Sequence, residues 1–226
     1  MSETIGERVL QRMKEIISLL LWDAAAIKVS LDEPFKLVSG NYSPIYINCR
    51  RVISDPAFMR MFTSVAKILC KQREVEVEVV AGGETAGIPF AAYTADNWWL
   101  PMVYVRKAKK QHGMASLVEG SLPGGARVLL VEDLITDGKS KLGFIDSLQA
   151  AGAIVEHVLV LFDRLQGGRE ALRQRGIQLH AVTDMDSSLA VGEAEELVPA
   201  AHVDAVRDYI KSPRDWHAKR GIPFNE

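Results

Sequence analysis

The sequence predicts an α/β protein: a mainly parallel, twisted sheet flanked by helices, with a small N-terminal subdomain. Three observations predict it. Short, near-continuous apolar runs such as MVYV, VLLV and LVLF recur along the chain, as expected of strands buried on both faces. Stretches with helical spacing or capping signals separate them, and that alternation suits a parallel sheet with crossover helices. The 226 residues, 48% apolar and 25% charged, are enough to bury the core of one α/β domain with a modest subdomain. A single domain over 1–226 is therefore expected, with a subdomain to about residue 53, a core over about 54–185 and a tail over 186–226.

Taken in order, Val9, Met13, Ile16 and Leu20 recur at helical spacing and predict a surface helix with one packed face. Its apolar run, Ile16 to Trp22, has seven residues, far short of a membrane span. Glu3 and Glu7 precede that run, which does not suit a signal peptide. Glu33 to Arg50 (EPFKLVSGNYSPIYINCR) carries the turn signals Gly40 and Pro44 between β-prone stretches. Asp55 and Pro56 suit the N-cap and first position of a helix buried through Phe58, Phe62, Val65 and Leu69. Strands are predicted at Val75–Ala81, Met102–Val105, Val128–Val131, Ile154–Phe162 and Gln178–Thr183. A Gly-rich turn and a helix from Gly87 follow the first; a helix from Ser140 to about Ala151, stopped by Gly152, follows the third. Ligands of such sheets bind beyond the carboxyl ends of the strands.

Bulk charge narrows the partners. With 27 Lys and Arg against 29 Asp and Glu, the net charge is -2, without the basic excess of a nucleic-acid binder. Cys49 and Cys70 lack CxxC spacing and read as reduced core residues rather than a disulfide or metal site. A soluble, cytoplasmic protein with neither nucleic-acid nor membrane partners is expected.

The segment after the third strand carries chemistry. Glu132 and Asp133 are followed by Leu134, Ile135, Thr136, Asp137, Gly138, Lys139 and Ser140. Two carboxylates at a strand end can accept hydrogen bonds from a vicinal diol. The loop adds backbone N–H groups, two hydroxyls and a helix N-terminus, the parts of a phosphate cradle, and Gly138 permits close approach or a positive φ. A P-loop is excluded because Asp133 stands where its first glycine belongs. The Gly82–Gly87 turn likewise lacks GxGxxG spacing. An isolated acidic pair reads as a solvated strand end; the whole pattern VLLVEDLITDGKS reads as a ribose-phosphate site.

That segment resembles the phosphoribosyl pyrophosphate (PRPP) motif of type I phosphoribosyltransferases, and three further segments resemble the orotate phosphoribosyltransferase family. FKLVSGNYSPIYINCR is similar to the hood over the base, which assigns Tyr46 and Ile47 to orotate. Some members carry a PRPP-contacting lysine where Val38 stands, so that contact is not carried over. AGGETAGIPFA resembles the pyrophosphate turn, touching it through Glu84, Thr85 and Ala86. Its glycines are expected to leave backbone amides accessible. YVRKAKKQHG is similar to the catalytic lid. The resemblance gives Arg106, Lys107, Lys110 and His112 the catalytic, pyrophosphate-binding role, some reaching into the partner's site, and the stretch to Leu122 is expected to be flexible. Asp163-Arg164 resembles the place where the orotate carboxylate is held, through Arg164.

The resemblance thus implies the type I phosphoribosyltransferase fold with its hood. PRPP contacts extend from Glu132 to Ser140, and Thr136 also reaches the base. The implied reaction joins orotate and PRPP into orotidine 5′-monophosphate and pyrophosphate, in UMP biosynthesis. Mg²⁺ is held mainly by PRPP, with Glu132 and Asp133 acting through water, and the enzyme is a homodimer. A purine or uracil enzyme has no reason for hood, lid and Asp-Arg together, and a PRPP-sensing regulator could dispense with the lid cations.

Overall fold

The computed structural model describes residues 4–37, 39–107 and 117–225. Lys110 and His112, and the position of Val38, lie outside the described residues. In chain order the elements are α1 (Ile5–Asp23), β1 (Ile27–Val29), β2 (Phe35–Lys36), β3 (Tyr42–Ser43) and β4 (Ile45–Ile47). A 3₁₀ turn (Cys49–Ser54) leads to α2 (Pro56–Gln72), β5 (Val79–Gly83), α3 (Gly87–Trp98), β6 (Met102–Val105) and β7 (Val118–Glu119). Then come β8 (Arg127–Ile135), α4 (Lys139–Ala150), β9 (Ile154–Asp163), α5 (Gly168–Arg173) and β10 (Gln178–Asp184). Helices α6 (Met185–Ala194), α7 (Ala200–Lys211) and α8 (Pro213–Lys219) follow.

Six strands form the central sheet in the order β10-β9-β8-β5-β6-β7. All pairings are parallel except β6 with β7. Strand residues alternate faces, so Leu129, Val131, Leu159 and Leu161 pack into one apolar cluster with Ile17, Phe62 and Phe90. Val128, Leu130, Val158 and Val160 pack into the other, beneath α4 and α5, with Phe144, Ile145 and Leu172. Both faces are thus covered, as the near-continuous apolar strands require. Two antiparallel pairs, β1 with β4 and β2 with β3, form the small N-terminal element.

Several sequence expectations shift. Helix α1 forms, but Val9 and Ile16 are 42% and 50% exposed, and the buried face carries Ile17, Ser18 and Leu21. The run IISLLLW offers more than one apolar stripe. Polar bonds select the face: Ser18 Oγ lies 2.6 Å from Thr183 Oγ1, and Lys14 pairs with Asp184. Strand β5 starts at Val79 rather than Val75, because its pairing with β8 begins at Val79 opposite Val128. Strand β8 runs on to Ile135, so Glu132 and Asp133 lie inside a strand. Val118–Glu119, expected in the lid, pairs with β6 and covers its outer edge. The tail is helical, and Leu189, Val203 and Val206 are buried in the first cluster.

On β10, His180 Nε2 lies 3.1 Å from His157 Nδ1. Burial, with His157, Arg73 and Arg169 nearby, pushes the His180 pKa down from 6.5 to about 4. Between those values the unfolded chain binds a proton that the folded chain refuses, so stability falls as pH drops from about 6.5 towards about 4. His180→Gln is expected to flatten that acid limb in a Tm-against-pH series. A limb of unchanged slope would remove His180 as its source.

Candidate active site

At the carboxyl end of β8, bounded also by β4 and the turn after β5, lies a cavity of about 550 Å³. Its walls are Tyr46 to Arg51, Glu84 to Ala86, Lys107, Glu132 to Leu134, Ser140, Lys141 and Phe144. Segments 46–51, 84–86, 132–134 and 140–144 are far apart in sequence, and the sheet brings them together. Tyr46 is 40% exposed and packs on Phe35, with ring centroids 5.6 Å apart; Ile47 beside it is buried.

The two acids do different things. Glu132 is buried. Its Oε1 accepts the Gly83 N–H at 2.8 Å and its Oε2 lies 2.8 Å from Lys141 Nζ. Burial pushes its carboxyl above the usual range, with the Lys141 ammonium opposing the shift. Asp133 is also buried, but its ion pair is loose, with Arg50 Nε at 4.0 Å. Both carboxylates line the cavity, Glu132 clamped by Gly83 and Lys141 and Asp133 loosely paired with Arg50.

This revises the reading of the glycines. The Gly83 amide is already used by Glu132. A Cβ at Gly87 would stand 1.9 Å from Glu132 Oε1, and one at Gly83 would stand 2.4 Å from it and 2.2 Å from the Phe144 ring. Their lack of side chains makes the niche for the carboxylate. Gly87→Ala is expected to destabilise the fold by about 1–3 kcal/mol through overpacking, lowering Tm by roughly 5 °C. An unchanged melting curve would show that the carboxylate is not seated there.

In the turn, Glu84 Oε2 accepts the Lys107 N–H at 2.8 Å, fastening the start of the lid segment to the β5–α3 turn. The Glu84–Thr85 peptide is cis, and Ala86 is the buried N-cap of α3. Helix α4 is capped by Gly138, whose φ of 82° is the left-handed conformation that glycine accepts most readily. First-turn amides have no intrahelical partner, so this N-terminus can receive an anion beside Ser140.

Other expected residues stand apart from the cavity wall. Ile135 is buried in the second core cluster. The Thr136 carbonyl accepts the Gly168 N–H at 2.8 Å. Lys139 is 88% exposed and pairs with Asp137 at 3.5 Å, so its charge faces solvent. Arg106 lies 3.8 Å from Glu119 on β7. Arg164 follows β9, within electrostatic reach of Cys49 and Tyr209, and among the described residues its buried Nε has no hydrogen-bond partner. Burial, reinforced by Asp133, pushes the Cys49 thiol well up and keeps it protonated.

Asn48, Cys49, Arg50, Arg51, Lys141 and Phe144 line the cavity although the sequence assigns none of them a part in the site, Cys49 reading as a core residue. Lys141 did leave a signal, for Lys141, Phe144, Ile145 and Leu148 are the buried face of α4, at i, i+3, i+4 and i+7 spacing. A second cavity, about 610 Å³, runs along β10 between α1, α2 and α5. It holds none of the expected residues, and its Lys14, Arg169 and Arg173 are paired with Asp184, Asp163 and Glu170.

The chain is similar to known proteins in both sequence and fold. The phosphoribosyl transferase domain family matches residues 53–175. The chain is 41% identical over 213 residues to the orotate phosphoribosyltransferase of Rhizobium meliloti, covering 92% of each. It is similar to the crystal structure of orotate phosphoribosyltransferase from Aeropyrum pernix, with TM-score 0.69 and 31% identity over 80% of this chain and 99% of that one. The Mycobacterium tuberculosis orotate phosphoribosyltransferase in complex with PRPP gives TM-score 0.63 and 25% identity, over 78% of this chain and 98% of the other.

Proposed function

The chain belongs to the orotate phosphoribosyltransferase family, and from that premise we propose that it transfers the 5-phosphoribosyl group of PRPP to orotate in pyrimidine biosynthesis. The products are orotidine 5′-monophosphate and pyrophosphate. The observation that carries the reading is the single cavity in which the Tyr46–Ile47 wall, the Glu84–Ala86 turn, Asp133 and the α4 N-terminus meet.

In this reading the 5′-phosphate sits at Thr136 to Ser140, where helix amides and hydroxyls suit an anion. Asp133 accepts from the ribose diol. Orotate lies against Tyr46 and Ile47, near Thr136, with its carboxylate toward Arg164. The pyrophosphate meets Glu84, Thr85 and Ala86 and the cations Arg106, Lys107, Lys110 and His112. As the C1–O bond breaks, the sugar gains oxocarbenium character and negative charge grows on the leaving group. Cations aimed at that charge lower the barrier more than they stabilise the ground state. Closure over the site keeps water from the reactive sugar. Orotate is already anionic, so N1 needs little help from a base.

The donor set fits Mg²⁺ carried on the substrate, because Asp133 is a buried carboxylate whose ion pair among the described residues is a loose one, with Arg50 at 4.0 Å. Asp133 would take metal-bound water, and the ion, when bound, helps neutralise the departing pyrophosphate. The same reading includes a cytoplasmic homodimer whose lid cations serve the neighbouring site. Among the described residues no helix is long and apolar enough to cross a membrane. Sedimentation of the purified protein tests the dimer.

Following orotate absorbance with PRPP and Mg²⁺, with adenine, hypoxanthine and uracil as alternative acceptors, tests the activity. Orotate alone is expected to be consumed. No loss of orotate in folded protein, or preference for another base, overturns the assignment.

A further inference from the structure

The tail beyond α6 supplies no group to the proposed reaction, yet it reaches back to the N-terminal hairpin. His217 of α8 is buried. Its Nε2 accepts the Tyr42 N–H at 2.9 Å, so the ring proton sits on Nδ1 and donates to the Pro213 carbonyl at 2.7 Å. Both ring nitrogens are thus used, and the Trp216 and Phe224 rings stand edge-on to the imidazole, with centroids 5.2 and 5.1 Å away. Further along, Asn41 and Asn225 bond reciprocally. Asn41 Nδ2 donates to the Asn225 carbonyl at 2.8 Å, and the Asn225 N–H donates to Asn41 Oδ1 at 2.7 Å.

The element so gripped needs support. Strands β2 and β3 have two residues each and form a sheet of their own, and a lone two-stranded hairpin is marginally stable in water. Phe35 of that hairpin packs on Tyr46, the cavity wall assigned to orotate. From the other side, Tyr209 of α7 stands edge-on to Trp216 at 5.3 Å and within electrostatic reach of Arg164. None of these contacts involves β8, α4 or the β5–α3 turn, which carry the PRPP subsites. We propose that His217 and Asn41 are positioning residues for the base: through them the C-terminal segment sets the β2–β3 hairpin and, behind it, the Tyr46 wall. This rests on the proposed orotate reading of that wall.

The experiment compares His217→Leu, His217→Gln and Asn41→Ala with wild type. KM for orotate is measured at saturating PRPP, and PRPP affinity calorimetrically with Mg²⁺ and no base. Amide exchange over residues 35–47 is followed by mass spectrometry in the unliganded protein. His217→Leu leaves the Tyr42 N–H without its acceptor, so the hairpin is expected to exchange faster and KM for orotate to rise about tenfold, with PRPP affinity within about twofold of wild type. A glutamine side-chain oxygen can take the place of Nε2, so His217→Gln is expected to return KM to within about threefold of wild type. Asn41→Ala removes both bonds to Asn225 and is expected to raise KM for orotate about fivefold.

Unchanged KM for orotate in His217→Leu overturns the proposal, whatever the exchange shows. Equal losses for orotate and PRPP also overturn it, since His217 would then support the fold and not the base site. His217→Gln as weak as His217→Leu does the same, because the acceptor would not be what matters. If His217→Leu fails to fold, Asn41→Ala carries the test, with a rise in KM for orotate of about threefold as its threshold. A wild-type protein that ignores orotate but takes another base overturns the proposed function, and the same KM split, read on that base, still decides the role of His217.

Discussion

Lys110→Ala is expected to lower kcat by about 10²–10³-fold, the usual cost of removing one group that stabilises an anion developing in the transition state. The segment Arg106 to His112 (RKAKKQH) concentrates positive charge in a chain whose net charge is only -2. Its root is fastened beside the cavity, where the Lys107 N–H donates to Glu84 at 2.8 Å. In the proposed reaction a cation of this segment meets the pyrophosphate as its charge grows, so the loss should fall on kcat more than on KM for PRPP. Single-turnover and steady-state rates measured together distinguish this from slow product release. A Lys110→Ala enzyme that turns over like wild type would remove the residue from the reaction.

Arg164→Ala is expected to raise KM for orotate by about 10²-fold, equivalent to about 3 kcal/mol of charge-assisted hydrogen bonding. Arg164 is held by its place after β9, with its backbone N–H donating to the Ile135 carbonyl at 3.0 Å. Among the described residues its buried Nε has no hydrogen-bond partner, an expensive condition for a charged donor unless a ligand completes it. Burial lowers its pKa, yet a guanidinium remains charged throughout the physiological range. The PRPP affinity of the variant should stay within about twofold of wild type, because in the proposed reading the guanidinium serves orotate and not PRPP. Equal losses for both substrates would take Arg164 out of the base site.

Much of this was legible along the chain. Strands buried on both faces must be apolar almost throughout, so MVYV, VLLV and the run ending in LVLF announced the parallel sheet without any tertiary information. Gly138 announced a backbone that other residues resist, and it takes φ 82° at the head of α4. The PRPP pattern was legible because it is local, with strand, acids and helix N-terminus in thirteen consecutive residues. The same locality misled at α1, where IISLLLW supports several apolar stripes and a hydroxyl pair with Thr183 selects one.

What the sequence determined by itself was the fold class; the phosphate cradle and, through resemblance, the hood, turn and lid are the proposals it supplied. What only tertiary structure decided was the use of each charged group. Glu132 and Asp133 are neighbours, and nothing local separates a carboxylate clamped by Gly83 and Lys141 from one loosely paired with Arg50. Lys139 and Lys141 flank Ser140, yet one faces solvent beside Asp137 and the other is buried on Glu132. The physical reason is that a charge takes its role from burial and from partners that the fold brings close. Gly83 lies 49 residues from Glu132 in sequence, and only the pairing of β5 with β8 sets them side by side.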